Sequence, residues 1–232
     1  MTKIKDNTMF QGYTQQTIDF LWGLRFNNER SWFLAHKEEF LEYVDGPTRA
    51  LAAQLSEAMT EAYPKLGLEC KVSRIYRDAR RLHGRGPYKE HLWFSLRHPS
   101  ERGCAAPCFF FELAPERYSY GMGCWDPTPL TMAKVRARID RDPKPVEKLA
   151  RQVIRRGEFV VEGELYKRPK GDPGPLLYPW YNQKKISFCR DENCEGIFFT
   201  PELAQRVLDG WKSLVPHYRW MREVASDPDP RD

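Results

Sequence analysis

The chain has 232 residues, 41% of them hydrophobic and 13% aromatic, with a formal net charge of +5. That composition supplies a sizeable core and excludes a disordered chain except at the ends. No apolar run approaches the roughly 20 residues of a membrane helix, and the opening MTKIKDNTMFQGY lacks an apolar leader core, so a cytoplasmic protein with no membrane partner is expected.

Ile18, Leu21 and Trp22 recur at helical spacing within residues 14–26 and predict a first helix. Asn27–Asn28 interrupts it and reads as a cap for a second, with Trp32, Phe33, His36, Phe40 and Tyr43 on one side. Asp45-Gly46-Pro47 starts a third, carrying Leu51, Leu55, Met59 and Ala62, and Pro64 ends it. The texture then changes. Leu68, Cys70, Val72 and Tyr76 alternate with polar residues and predict a strand; Leu92–Leu96, Cys108–Leu113 and Tyr118–Met122 predict three more. The turn at Ala114-Pro115-Glu116 is too short for a parallel crossover, so the strands form an antiparallel meander. Helices resume at 128–141 and 145–156. Residues 157–183 read as a Gly- and Pro-rich loop with a short strand at Phe159–Val161, and Lys185–Cys189 as another short strand. Thr200-Pro201 opens the last helix, which Pro216 is expected to break or kink before it resumes to Val224. Helices, then strands, then helices predict an α+β fold, an antiparallel β-meander sheet packed with N-terminal and C-terminal helices. One domain is expected over 1–232, with an ordered core at 9–224 and a frayed tail at 225–232.

The six cysteines form no C-x2-C knuckle; the nearest spacings are Cys104-x3-Cys108 and Cys189-x4-Cys194, which read as reduced, buried thiols rather than a zinc site. There is no Walker loop, no Gly-x-Ser-x-Gly elbow and no His-Glu-x-x-His, so neither a metal nor a cofactor is expected.

Charge is unevenly placed. Residues 71–97 hold eight Lys and Arg against Asp78 and Glu90, enough to account for the whole positive excess. Within them, Arg74-Ile75-Tyr76-Arg77-Asp78-Ala79-Arg80-Arg81 leads through Gly84, Gly86 and Pro87 to Tyr88-Lys89, the pattern of a loop between strands. Arg is always charged and its planar fork grips carboxylate or phosphate with two bonds. Arg74, Arg77, Arg80 and Arg85 are therefore the candidates to hold an anion, Asp78 to orient them, and Tyr88 and Lys89 to line the rim. His83 and His91 flank the segment and are the candidate proton carriers. Strand alternation sets Arg74 and Arg77 on opposite faces unless the strand has ended before them.

The pattern R-x-x-R-D-x-R, with P-Y-K beginning seven positions after its last arginine, resembles the hallmark of domain-of-unknown-function family 2461. Asn27-Asn28-x-x-x-Trp32-Phe33, Gly121-x-Gly123 and Arg168-Pro169-Lys170-Gly171 resemble further points of that family, and the likeness covers roughly residues 9–222. It implies a chain of about this length and brings no activity with it. The chain departs from the family pattern at Arg81, where Phe is usual, and at Gly84-Arg85, where an acidic residue or Asn precedes Lys; Arg85 keeps the charge.

Three functions follow from one segment. The first is a pocket for a small anionic, phosphate- or carboxylate-bearing ligand, with or without enzymatic turnover. The second is a nucleic-acid-binding module that places the same arginines on phosphates. The third is a scaffold in which Arg and Asp form an internal ion-pair network. Trp32, Phe33, Trp93 and Trp125 could stack bases, but at helical and strand spacing they read as core.

Overall fold

The computed structural model describes residues 9–78, 80, 82, 84–99 and 106–231. Helix α1 (Gln15–Phe26) follows an extended Thr14, whose N–H donates to Thr17 Oγ1 at 3.2 Å. It ends where the backbone N–H and the side-chain amide of Asn27 both donate to Gly23 O, at 3.0 and 2.9 Å. The expected second helix is divided. It comprises α2 (Arg30–Ala35), α3 (Lys37–Glu39) and a π-helical stretch (Phe40–Asp45) that runs directly into α4 (Gly46–Ala62). The first break falls at His36, which has left the helical basin and whose ring bonds Trp32 O at 2.8 Å. Phe33, Phe40, Leu51, Leu55 and Met59 of the expected stripes are buried, while Trp32, His36 and Tyr43 are half-buried and Ala62 is exposed.

Strand β1 (Glu69–Val72) stops four residues short of the expected Tyr76. It is followed by β2 (Leu92–Arg97), β3 (Cys108–Leu113) and β4 (Arg117–Gly123), with Ala114 N donating to Arg117 O at 2.9 Å across the tight turn. Helix α5 (Pro129–Arg141) is capped by the Thr128 hydroxyl, which accepts from Thr131 N at 3.1 Å. Helix α6 (Lys144–Arg156) ends at Gly157, where φ is +62°. Then come β5 (Val160–Glu162), α7 (Tyr178–Asn182), β6 (Ser187–Asn193) and α8 (Glu202–Ala225). The six strands make one antiparallel sheet in the order β1-β2-β3-β4-β6-β5, so the meander is extended past β4 by the two late strands. β5 and β6 pair with Val160 opposite Cys189 and Glu162 opposite Ser187. The fold is α+β.

Two local expectations need correction. The 157–183 loop contains α7, because Trp180, Tyr181 and Asn182 are buried and that burial orders a Pro-containing turn. Helix α8 is unbroken through Pro216: Trp211, Leu214, Val215, Tyr218 and Met221 are buried on both sides of it, and their burial outweighs the roughly 3 kcal/mol cost of an interior proline. Beyond α8, Arg138 donates to both carboxylate oxygens of Asp227 at 2.7 Å, which joins α5 to the residues that follow α8.

Two units are distinguished by their internal contacts. The first takes the chain through Leu96, with Phe111–Ser119 and Asp191–Leu208. Its core is aromatic: Tyr13 stacks on Phe198 at 4.8 Å and Phe94 on Phe111 at 5.3 Å. The second takes Arg97–Phe110, Tyr120–Arg190 and the chain from Asp209. There Phe109 stacks on Tyr218 at 4.9 Å, and the indole of Trp211 donates to Phe110 O at 3.2 Å. Gly121 and Gly123 belong to this second unit; a Cβ at Gly121 would lie 1.8 Å from Phe188 O, so the β4 backbone there meets β6 with no room for a side chain. Among the described residues no helix is long and apolar enough to cross a membrane, and none of the five described cysteines is in a disulfide.

Candidate functional site

The arginine segment lies in the first unit, as an arm between β1 and β2. Ser73 still bonds the sheet, its N–H donating to Trp93 O at 2.7 Å while its hydroxyl accepts from Trp93 N at 3.0 Å. Beyond it the two legs of the arm hold each other through an antiparallel bridge of Tyr76 to Tyr88, with Arg77 N donating to Pro87 O at 2.8 Å and Lys89 N to Ile75 O at 2.7 Å. Gly84, at φ +79°, turns the tip.

A residue from the helical region fixes the arm. The amide of Asn28 takes both backbone groups of Tyr88, accepting from its N–H and donating to its C=O, each at 3.0 Å. A Cβ at Gly86 would stand 2.3 Å from Asn28 Cγ, so this approach requires glycine. Asn28 is thus a clamp on the arm, while the residue preceding α2 is Glu29. Asn28 and the Gly86-Pro87-Tyr88 element of the sequence are one structural device.

Arg77 is part of the same framework. Its Nε donates to Tyr88 O at 2.6 Å and its Nη2 to Glu90 Oε1 at 3.4 Å, and its side chain is only 14% exposed. Glu90 also accepts from Arg25 Nε at 3.0 Å, so Arg77 is already matched to an acid. Asp78 receives Arg80 with two side-chain bonds, at 3.0 and 2.7 Å, and a backbone bond at 3.1 Å, which hold the Arg80 guanidinium above its usual range. The expected role of Asp78 as orienter therefore concerns Arg80; Glu90 does the same for Arg77.

Arg74, Arg77, Asp78, Arg80, Arg85, Lys89 and His91 line one groove of about 570 Å³, with Tyr76 as its aromatic wall. Tyr88 is not on this wall. It is 3% exposed and stacks flat on Phe33 at 4.2 Å, so the expected rim position falls to Tyr76 instead: the two bridged rings lie side by side on one face, 5.3 Å apart, and Tyr76, which meets Phe33 only by an edge, stays open. His83 lies outside the described residues. Among the described residues, no carboxylate stands within ion-pair distance of Arg74, Arg85 or Lys89. Lys89 donates to Arg74 O at 2.6 Å. Partial burial first, then the charges of Arg74, Arg77 and Lys71, pull its ammonium below the usual lysine range. Burial is also the main reason His91 titrates below an ordinary histidine; Glu112 opposes the shift and Lys89 and Arg77 add to it.

A larger, shallower depression of about 880 Å³ runs along α4 and β1, but its ionisable groups are Arg49, Glu57, Glu61 and Cys70, which mix signs and share no role. Among the described residues no group of three or more His, Cys, Asp or Glu side chains is placed to hold a metal ion.

A comparison with curated proteins finds no match. The model of the family described as conserved hypothetical protein (DUF2461) matches residues 16–220, from α1 through the arginine arm and the sheet into α8, and the chain belongs to that family.

Proposed function

We propose that the groove beside the arginine arm binds a small anionic ligand bearing phosphate or carboxylate groups. The observation that carries this reading is the set Arg74, Arg85 and Lys89, which converge on one concavity with no acidic partner among the described residues. Like charges brought together without a counter-charge raise the energy of the empty groove, and an anion relieves it. A purely structural role accounts for Arg77, which ties the arm to Tyr88 and Glu90, and for the bond from Lys89 to Arg74 O, but leaves the Arg74 and Arg85 guanidinium groups beside that ammonium unexplained. Turnover in the groove would use His91 as proton acceptor, since its lowered pKa keeps the ring neutral at pH 7.

The exposure of Arg80 at the outer lip, 88% for its side chain, favours a second reading in which nucleic-acid phosphates cross the same surface. Thermal denaturation in the presence of inorganic phosphate, phosphorylated metabolites, dicarboxylates and short RNA separates the two. A small anion at about 100 times its Kd should stabilise the protein by about 2.7 kcal/mol. Arg74→Ala and Lys89→Gln should each weaken it at least tenfold, the scale of one charge-assisted hydrogen bond. A response to RNA alone, lost by orders of magnitude between 50 and 200 mM salt, would select the nucleic-acid reading. No response to any anion would end both.

A further inference from the structure

The groove offers more than charge. Tyr76 is 53% exposed, yet its ring is held from within by two buried rings, Phe33 in an edge contact at 6.0 Å and Tyr88 at 5.3 Å. Its backbone is pinned by the bridge to Tyr88. The side chain is therefore fixed in place with an apolar surface left open beside unneutralised cations. A rigid aromatic surface recovers stacking energy at little entropic cost. The space is also larger than an isolated phosphate requires: about 570 Å³ falls within the range of sites for whole small molecules.

We infer that the ligand is a nucleoside phosphate, its phosphate held by Arg74, Arg85 and Lys89 and its base stacked on Tyr76. The inference rests on the anion-site reading above and adds the planar ring. A ligand of phosphate and sugar alone would satisfy the cations and leave Tyr76 in water, whereas a nucleotide uses both surfaces at once. A free mononucleotide and the 5′-phosphorylated end of an oligonucleotide share this chemistry.

The test is calorimetric titration of the full chain with AMP, ribose 5-phosphate, adenosine and a 5′-phosphorylated adenylate trimer. AMP or the trimer should bind about tenfold tighter than ribose 5-phosphate, within the range of base stacking on an aromatic side chain. Whichever of the two binds tighter identifies the source. Tyr76→Phe should keep that preference. Tyr76→Leu should abolish it while ribose 5-phosphate affinity stays within about twofold, with circular dichroism melting as the check on folding. Equal affinity of the wild-type protein for AMP, the trimer and ribose 5-phosphate would overturn the nucleotide inference and leave the anion site standing. Absence of binding by every phosphate compound would remove the anion site itself, and adenosine binding as tightly as AMP would show a ring site that makes no use of the cations. Because the first comparison uses the wild-type protein, it decides the matter even where a Tyr76 variant fails to fold.

Discussion

Arg74 and Arg77 are three positions apart and have opposite surroundings. Arg77 is mostly buried and carries a backbone carbonyl and a carboxylate, whereas Arg74 is exposed and its side chain has no acidic partner among the described residues. Arg77→Ala should therefore cost about 1–3 kcal/mol in urea denaturation, because Tyr88 O and Glu90 both lose a charged donor. Arg74→Ala should leave the denaturation midpoint within about 0.5 kcal/mol, as exposed side chains usually do. Equal losses would contradict this division of labour. The sequence shows which residue types crowd the segment but not which carboxylate serves which guanidinium. Asp78 and Glu90 look equivalent on paper; Glu90 meets both Arg77 and Arg25 because the fold brings Arg25 of α1, 65 positions away, to the base of the arm. The alternation argument that would have set Arg74 and Arg77 on opposite faces does not apply, because β1 ends at Val72.

Among the elements, those with strong periodicity were legible: α1, α4 and the meander strands β2 to β4 appear within a few residues of their expected limits. Elements stabilised by distant contacts were not. The π-helical stretch, the short α7 and the continuity of α8 through Pro216 each depend on buried neighbours that local propensity does not report. The Asn28 clamp is of the same kind, since an asparagine between two helices reads as a cap until the partner strand is seen. Its tight fit makes a firm prediction. Gly86→Ala would set a Cβ against Asn28 and force the clamp open, destabilising the protein by about 1–3 kcal/mol, the usual cost of overpacking. Hydrogen exchange should then quicken at Tyr88 N–H, which Asn28 covers. Unchanged protection there would mean that the arm is held by other contacts.

For the whole molecule, stability should depend on acid through the second unit. His217 is 1% exposed among Trp180 and Phe188, bonds Leu149 O at 3.2 Å through Nε2, and has an unsatisfied Nδ1. Burial pushes its pKa from 6.5 down to about 4; the Leu149 carbonyl opposes this and Arg156 adds to it. Between those values the unfolded chain binds a proton that the folded chain refuses, so stability is full above pH 6.5 and falls as pH drops toward 4, by up to ~3 kcal/mol. His217→Gln should flatten that limb of the stability–pH curve, and a slope unchanged by the substitution would assign it to other groups. The proton balance of the molecule also bears on the groove. Partial burial first, and then neighbouring cations, make the positive charge of Lys89 costly, and an anion offsets the cations' share. At pH values where Lys89 titrates, an anion bound in the groove would therefore draw hydrogen ions from the buffer, and the heat measured would depend on which buffer supplies them.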